Sequence, residues 1–319
     1  MTSNPRVRPR LPYWAHELFL RPTGAFGATV LFLLLASALV SLFWTPHPLL
    51  QANPDQAWLG PSSQHWLGTD QIGRDTFSWL LAGSRTAVLV VTFSTLLAAV
   101  IGTTFGALSA LAPRRVGAPV AVLVDIFIAF PVLLLAMLLA APFGGSIGVV
   151  VIAVGIGYGM NIGRVTRPEI LRISQSDFML ASRASGVGTV RSILRHIVPN
   201  VGPIFIVQLS MVAATSLLAE AGLSYLGYGA PSTTPSWGRT LATSQQLIGV
   251  QPLSVLWPGL TITLTVLALT LLGDALREAV DPRLKRSALR VPSDAETHPA
   301  LAPLPDAPVL AMTASEISR

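Results

Sequence analysis

The sequence contains no cysteine, and this absence excludes several functions at once. A chain without thiols forms no disulfide, performs no thiol chemistry and holds no cysteine-ligated metal. Lysine occurs only once, at Lys285, so the phosphate-binding loop G-x-x-x-x-G-K-[ST] is absent. Any ATP that drives this protein must therefore be bound by another polypeptide.

Charge is also scarce. Only 11% of the residues are charged and 51% are hydrophobic, whereas soluble domains carry roughly 25% charged residues. The net charge of +6 comes from basic residues scattered between apolar runs, without an aromatic stacking platform, so nucleic-acid binding is not expected. The five histidines are dispersed, and we predict that none forms a close metal-ligand pair: His16, His47, His65, His196 and His298.

Long apolar runs are what the chain does have. A run of about 20 apolar residues crosses about 30 Å of hydrocarbon. Six such runs predict an all-α, polytopic membrane protein surrounded by lipid. The runs are Ala25–Trp44, Ala87–Leu111, Val120–Ala141, Ile147–Ile162, Val201–Leu218 and Leu253–Leu276. Pro131 predicts a kink in the third span. Gly102 and Gly106 form a G-x-x-x-G pattern that permits close helix contact in the second.

Basic residues set the predicted orientation. Eighteen of the 21 basic residues fall in the two terminal regions and in the loops after the second and fourth spans. Arg74, Arg85 and Arg239 fall on the other side. Because basic loops are cytoplasmic, we predict that both termini are cytoplasmic and that a loop of about residues 45–82 is extracytoplasmic.

The two ends of the chain predict tails. We expect residues 1–24 to form a cytoplasmic N-terminal tail and residues 25–286 to form one domain with six transmembrane helices. The first span is expected to be retained, although Ala36-Ser37-Ala38 resembles a signal cleavage site. Residues 287–319 are rich in alanine and proline and predict a disordered cytoplasmic tail, with a partner-binding segment as the alternative.

Between the fourth and fifth spans, in a loop of about residues 166–200, the sequence DFMLASRASGVGTVRSILRHIVPN predicts two short helices separated by a glycine. Ser176 or Asp177 caps the first helix, Gly186 ends it in a left-handed turn, and Pro199 ends the second. Ile193, Leu194, Ile197 and Val198 are expected on one side of the second helix. An amphipathic element of this kind suits contact with a partner outside the bilayer, and the alternative is a solvated loop.

Ionisable residues inside the apolar runs are few. Asp125 and Glu220, together with the kink at Pro131, are candidates for the translocation path or its gate. Both carboxylates, like Asp274 and Arg277, lie near span ends, so a structural or interfacial role is the alternative.

Several of these segments resemble one family. LASRASGVGTVRSILRHIVPN is similar to the cytoplasmic EAA loop of permease subunits in binding-protein-dependent ABC importers, within the dipeptide/oligopeptide/nickel branch. HWLGTDQIGRDTFSWLLAGSRTAV, DIFIAFPVLLLAMLL, EAGLSYLGYGAPSTTPSWGRTL and GDALREAVDPRLKR match in kind and order over about residues 25–286. The usual Glu-Ala-Ala is replaced by Leu180-Ala181-Ser182.

The resemblance implies a type I ABC importer permease fold in a bacterial cytoplasmic membrane. It implies that the loop is a coupling helix docked on a cytoplasmic ATPase, with these residues in the contact: Leu180, Ala181, Ser182, Ala184, Gly186, Val187, Arg191, Ile193, His196 and Pro199. The implied partners are a second homologous permease, two ATPase subunits or one fused ATPase, and an extracytoplasmic substrate-binding protein. ATP and Mg would be bound by the ATPases, and this chain would hold no cofactor and catalyse no reaction.

Peptides are the substrate that the resemblance favours, with nickel or another small solute left open. A secondary transporter or channel is the alternative function, although such proteins more often show charges deep within spans or paired broken helices. A membrane-embedded enzyme would need a convergent set of catalytic groups, which the sequence does not predict.

Overall fold

The computed structural model describes residues 22–246, 248–249 and 251–280, which all lie in the first of two compact units, residues 1–281. The predicted tail at 287–319 and almost all of the tail at 1–24 lie outside the described residues. Within the described part the regular structure is helical, apart from one bridge between Thr69 and Asp75. The α-helices are α1 (Pro22–Phe43), α2 (Thr76–Leu111), α3 (Arg114–Ala129), α4 (Val132–Phe143), α5 (Ile147–Ser174), α6 (Asp177–Ala184), α7 (Thr189–Ser192), α8 (Val198–Tyr225), α9 (Trp237–Gln245) and α10 (Pro252–Val280).

The predicted membrane spans are present, and the third one is broken. Five helical segments in the described part are long and apolar enough to cross a membrane, and the pair α3–α4 makes a sixth when counted as one span. The two helices of that pair meet at 86° around Pro131. Proline lacks the backbone N–H that would continue the helix, so the predicted kink is a full break.

The second span begins eleven residues earlier than its apolar run, at Thr76 instead of Ala87. Asp75 caps this start, because its carboxylate accepts the backbone N–H of Ser78 at 2.8 Å. The polar residues of the added turns have partners inside the fold. For example, Arg85 Nε donates to Ser41 Oγ of α1 at 2.7 Å. The predicted loop 45–82 is correspondingly shorter at its far end.

Helices α2 and α5 pack closely against each other through glycines. A Cβ added at Gly102 would lie 2.6 Å from Ile162 Cγ2, and one added at Gly106 would lie 2.8 Å from Thr166 Oγ1. The facing positions on α5, Gly159 and Gly163, form a second G-x-x-x-G pattern that the sequence analysis did not use. The close helix contact expected from Gly102 and Gly106 is therefore confirmed, and it is two-sided.

Candidate functional site

The segment between α5 and α8 has the predicted helix–glycine–helix form. Helix α6 ends with Gly186 in the left-handed region at φ +75°. The backbone N–H of Val187 donates to the carbonyl of Ser182 at 3.2 Å, which is the six-to-one bond of a Schellman turn. We call residues 177–197 the α6–α7 element. Its turn requires a residue that tolerates positive φ, which is the reason for the glycine.

One side of the α6–α7 element is anchored to the bundle. Met179 and Ile197 are buried together with Ile173 at the end of α5 and Val201 at the start of α8. The hydroxyl oxygens of Ser182 and Ser192 lie 3.2 Å apart across the turn. The element is therefore fixed in orientation to both neighbouring long helices.

The other side of the element is exposed and carries large apolar side chains beside the charged Arg191 and Arg195. Leu180 is 54% exposed and Leu194 is 64% exposed. The remaining predicted contact residues fall into two groups. Ala181, Ala184, Gly186, Arg191 and Pro199 are exposed, and Ser182, Val187, Ile193 and His196 are partly buried. The prediction that Leu194 and Val198 share a face with Ile197 is wrong, because both are exposed while Ile197 is buried.

The sequence predicted that Pro199 ends the second helix, and this prediction is wrong. One turn of α7 passes into a π-helical turn at Ile193–Ile197, which continues into α8 with Pro199 in its first turn. A proline is tolerated there because first-turn N–H groups have no partner within a helix. In the π turn the backbone hydrogen bond reaches five residues back instead of four: the N–H of Val198 donates to the carbonyl of Ile193. The wider turn shifts the hydrogen-bond register between α7 and α8 by one residue. Helix α7, the π turn and the fifth span are thus one continuous helical path, which α6 joins through the turn at Gly186.

Asp125 has a partner that sequence reasoning missed. Its Oδ1 lies 3.4 Å from Nη1 of Arg164 on α5, and both side chains are about 60% exposed (59% and 60%). Asn161 and Arg172 are also exposed on α5, eleven residues apart and hence on one face. We call Asn161, Arg164 and Arg172 the polar face of α5. The signal was an acidic residue in the third apolar run and a basic residue two positions after the end of the fourth.

Glu220 occupies a different place, at the far end of α8. It is buried, and its Oε1 accepts the hydroxyls of Ser224 at 2.7 Å and Ser236 at 2.8 Å. Ser236 in turn caps α9. This geometry favours the structural alternative for Glu220, because the carboxylate ties the loop of residues 226–236 to the end of the fifth span.

The prediction that no histidines form a close metal-ligand pair is contradicted by His47 and His65, whose ring nitrogens lie close enough to hold one ion. The ring centroids of His47 and His65 are 4.5 Å apart, because the loop between α1 and α2 folds back on itself. This pair lies near the start of α2, at the end of the bundle opposite the α6–α7 element.

Residues 144–148 form a G-x-S-x-G pattern, which in other proteins can surround a nucleophilic serine. Ser146 caps α5, and its Oγ accepts the N–H of Val149 at 3.3 Å. The pattern here therefore serves as a helix start.

Comparison with known proteins supports the resemblance. Residues 102–286 match the family "Binding-protein-dependent transport system inner membrane component". The chain is 37% identical over 235 residues to the dipeptide transport system permease protein DppC of Alkalihalophilus pseudofirmus, covering 74% of this chain and 77% of that protein. It is 34% identical over 255 residues to the nickel transport system permease protein NikC of Escherichia coli K12, covering 80% and 92%.

Two further similarities complete the comparison. The glutathione transport system permease protein GsiD of Pectobacterium atrosepticum is 36% identical over 274 residues, which cover 86% of this chain and 91% of that protein. A chain of the MetNI methionine ABC transporter, solved in inward facing conformations, superposes with a TM-score of 0.54 at 19% identity, covering 64% of this chain and 97% of that one. At that identity the likeness shows a shared fold.

Proposed function

Because the chain belongs to the family of inner membrane components of binding-protein-dependent transport systems, we propose that it is the permease subunit of an ATP-driven peptide importer. Membership confirms the predicted branch, and the all-α helical bundle confirms the predicted type I permease fold. The proposal adds the coupling route, the path, the partners and the substrate.

The α6–α7 element is proposed as the contact with a cytoplasmic ATPase. The observation that carries this is its two-sided character: Met179 and Ile197 anchor one side, while the large apolar side chains of Leu180 and Leu194 are exposed. The element is predicted to lie in water on the cytoplasmic side of the membrane. Exposed apolar side chains on the surface of a short rigid element there are suited to contact with a protein partner. Leu180 replaces the family glutamate and adds apolar area to that surface.

The continuous helix from the element into α8 supports the proposed coupling. Movement of α7 on a partner is passed to the fifth span without a break in the helix, since α7, the π turn and α8 share one helical path. Helix α6 is held to the same path by the burial of Met179 beside Ile197. Anchoring on α5 through Ile173 carries the fourth span along as well. Packed helices shift as bodies, which is what alternating access requires.

The polar face of α5 and the break at Pro131 are proposed to line the translocation path. A charged pair such as Asp125–Arg164 is costly against lipid. Interrupted backbone at membrane depth is tolerated only beside protein or a water-filled cavity. The charged pair and the interrupted backbone are both kept away from lipid when a second, homologous permease subunit covers this side of the chain and encloses water with it.

The remaining partners follow from the same reading. ATP and Mg are assigned to two ATPase subunits or one fused ATPase on the cytoplasmic side, where both termini are also placed. An extracytoplasmic binding protein is placed at the opposite end, over the 45–75 loop. Di- and oligopeptides are the proposed substrates, because relatives named for dipeptides and for glutathione, itself a peptide, match over most of the chain. Nickel is the alternative that a third relative raises.

Reconstitution with the proposed partners tests the function. Wild type is expected to retain an ATPase through detergent purification and to take up labelled dipeptide only with the binding protein and ATP. Ala181→Asp places a charge on the exposed side of α6, where burial of an unpaired ion costs several kcal/mol, so ATPase retention is expected to fall. Ala181→Ser is the matched control and should retain it.

The outcomes separate the parts of the proposal. A wild-type chain that binds no ATPase contradicts the importer function. An Ala181→Asp chain that retains the ATPase and transports at the wild-type rate contradicts only the docking surface. Uptake of Ni²⁺ without uptake of peptide would move the substrate to the alternative.

A further inference from the structure

The paired histidines lie beside a carboxylate at the start of α2. His65 is buried, and its Nδ1 lies 2.9 Å from Oδ1 of Asp75, the residue that caps α2. His47 follows α1, with its ring 4.5 Å from that of His65 and tilted by 32°. One ring nitrogen of each histidine and a carboxylate oxygen of Asp75 lie within 4.8 Å of one another.

Hydrogen bonds to outer partners orient His47 and Asp75, as they commonly orient metal ligands. Nε2 of His47 lies 2.9 Å from the carbonyl of Gln64, so Nε2 carries the proton and Nδ1 keeps a lone pair. Oδ2 of Asp75 accepts both the hydroxyl and the N–H of Ser78, at 2.7 and 2.8 Å, which leaves Oδ1 facing His65. Metal-binding imidazoles and carboxylates are usually oriented by such outer partners.

The chain leaving α1 is fixed into the same network. The backbone N–H of His47 donates to Ser78 Oγ at 3.1 Å, and that hydroxyl donates to Asp75. The three side chains therefore come from three separate stretches: the end of α1, the loop and the start of α2. An ion held by all three would cross-link them.

We propose that His47, His65 and Asp75 form a binding site for a divalent transition metal ion of the zinc class, through Nδ1 of His47, Nδ1 of His65 and Oδ1 of Asp75. The ion replaces the proton shared by His65 and Asp75, which is released on binding. Ligands about 2.1 Å from a tetrahedral ion lie roughly 3.4 Å apart. The 2.9 Å pair of Nδ1 and Oδ1 atoms therefore has to open by about 0.5 Å, and ligand atoms that are up to 4.8 Å apart have to close by about 1.4 Å at most.

The ligand chemistry favours this class of ion. Two imidazoles and one carboxylate suit Zn²⁺, Ni²⁺ or Cu²⁺, whereas Mg²⁺ and Ca²⁺ prefer oxygen ligands throughout. Three protein ligands leave a fourth position for water. The site is separate from the proposed path and from the α6–α7 element, so its test does not depend on transport.

The test uses the full chain, purified in detergent with a histidine-free tag and stripped of metal. Titration with Co²⁺ alone is expected to give one tight equivalent with the visible absorption of a low-coordinate nitrogen–oxygen site, which Zn²⁺ then abolishes. His47→Gln keeps a donor for the Gln64 carbonyl but removes a ligand, so affinity should fall at least tenfold. His196→Gln, in the α6–α7 element at the opposite end of the bundle, is the matched control for metal binding.

Two results would overturn the site. One is wild-type protein that shows no such Co²⁺ spectrum below millimolar metal, in which case the group is a hydrogen-bonded helix cap only. The other is a His47→Gln chain with the wild-type spectrum and affinity. Should His47→Gln fold poorly, the wild-type titration alone decides, supported by a Zn²⁺-dependent rise in melting temperature that only a native-state site produces.

Discussion

Replacing Gly186 is the sharpest perturbation of the proposed coupling contact. Its φ of +75° is the left-handed conformation that ends α6, and an added Cβ meets no atom of this chain within 4 Å. The cost of a side chain in the isolated subunit is therefore backbone strain alone. Gly188 provides the control, since it lies in the same turn with the same open space and without a positive φ.

The magnitude follows from the conformation. A left-handed backbone costs an ordinary L-residue about 1–2 kcal/mol, and asparagine less. If relaxation of the turn removes the docking geometry, a cost of this size lowers the docking-competent population by about 5- to 30-fold. Valine is expected to abolish coupling, because its branched side chain also meets the partner surface. Alanine should lose most activity and asparagine should keep most of it.

The assay follows uptake and phosphate release together in liposomes that contain the complete transporter. We expect Gly186→Val to insert normally but to lose both activities, and Gly188→Val to retain them. Wild-type uptake by Gly186→Val would refute the role of the turn. Equal loss in the asparagine and valine variants would show that side-chain size at the partner surface, instead of backbone strain, is limiting.

Three further outcomes are expected. In this cysteine-free chain, an impermeant thiol reagent applied to right-side-out vesicles should label a single cysteine at Ser62 and leave one at Ser185 unmodified; labelling of Ser185 would reverse the orientation. Asp125→Arg should reduce uptake, and adding Arg164→Asp should restore it at least partly if the pair itself matters; no restoration would indicate separate roles. Deleting the residues after Arg290 should leave assembly and uptake nearly unchanged, because that tail has little apolar material to bury, and loss of complex at an unaltered membrane level would show a partner-binding tail.

The spans were predictable because hydrocarbon thickness imposes a length that apolar runs display directly. Their ends were less so, because helices continue wherever polar groups find partners. Thr76 begins α2 because Asp75 caps it and Arg85 bonds to α1, and neither fact is visible in hydropathy. The break at Pro131 was half predicted: proline implies a kink, but the 86° angle depends on what packs against each half.

At the α6–α7 element, local signals sufficed for Gly186 and failed for Pro199. A glycine after a short amphipathic helix predicts a left-handed turn from the chain alone. A proline predicts a helix end unless the backbone changes register first, and the π turn at Ile193–Ile197 was not foreseeable from residue types. The partners Arg164 for Asp125 and His47 for His65 depend on tertiary folding, which spacing along the sequence does not reveal.

The glycine contact between α2 and α5 has a consequence for biogenesis. Membrane helices gain no hydrophobic energy by leaving lipid for one another, so close backbone packing must hold this pair together. Helix α5 is synthesised and inserted only after α2, α3 and α4. Until then, Gly102 and Gly106 of α2 lack the α5 surface against which they pack in the folded protein. A bulky residue at Gly102 should thus leave translocon insertion and topology intact while blocking the later assembly of inserted helices. Its phenotype would be rapid degradation by membrane quality control, seen in a pulse-chase experiment as a normal synthesis rate with a shortened half-life.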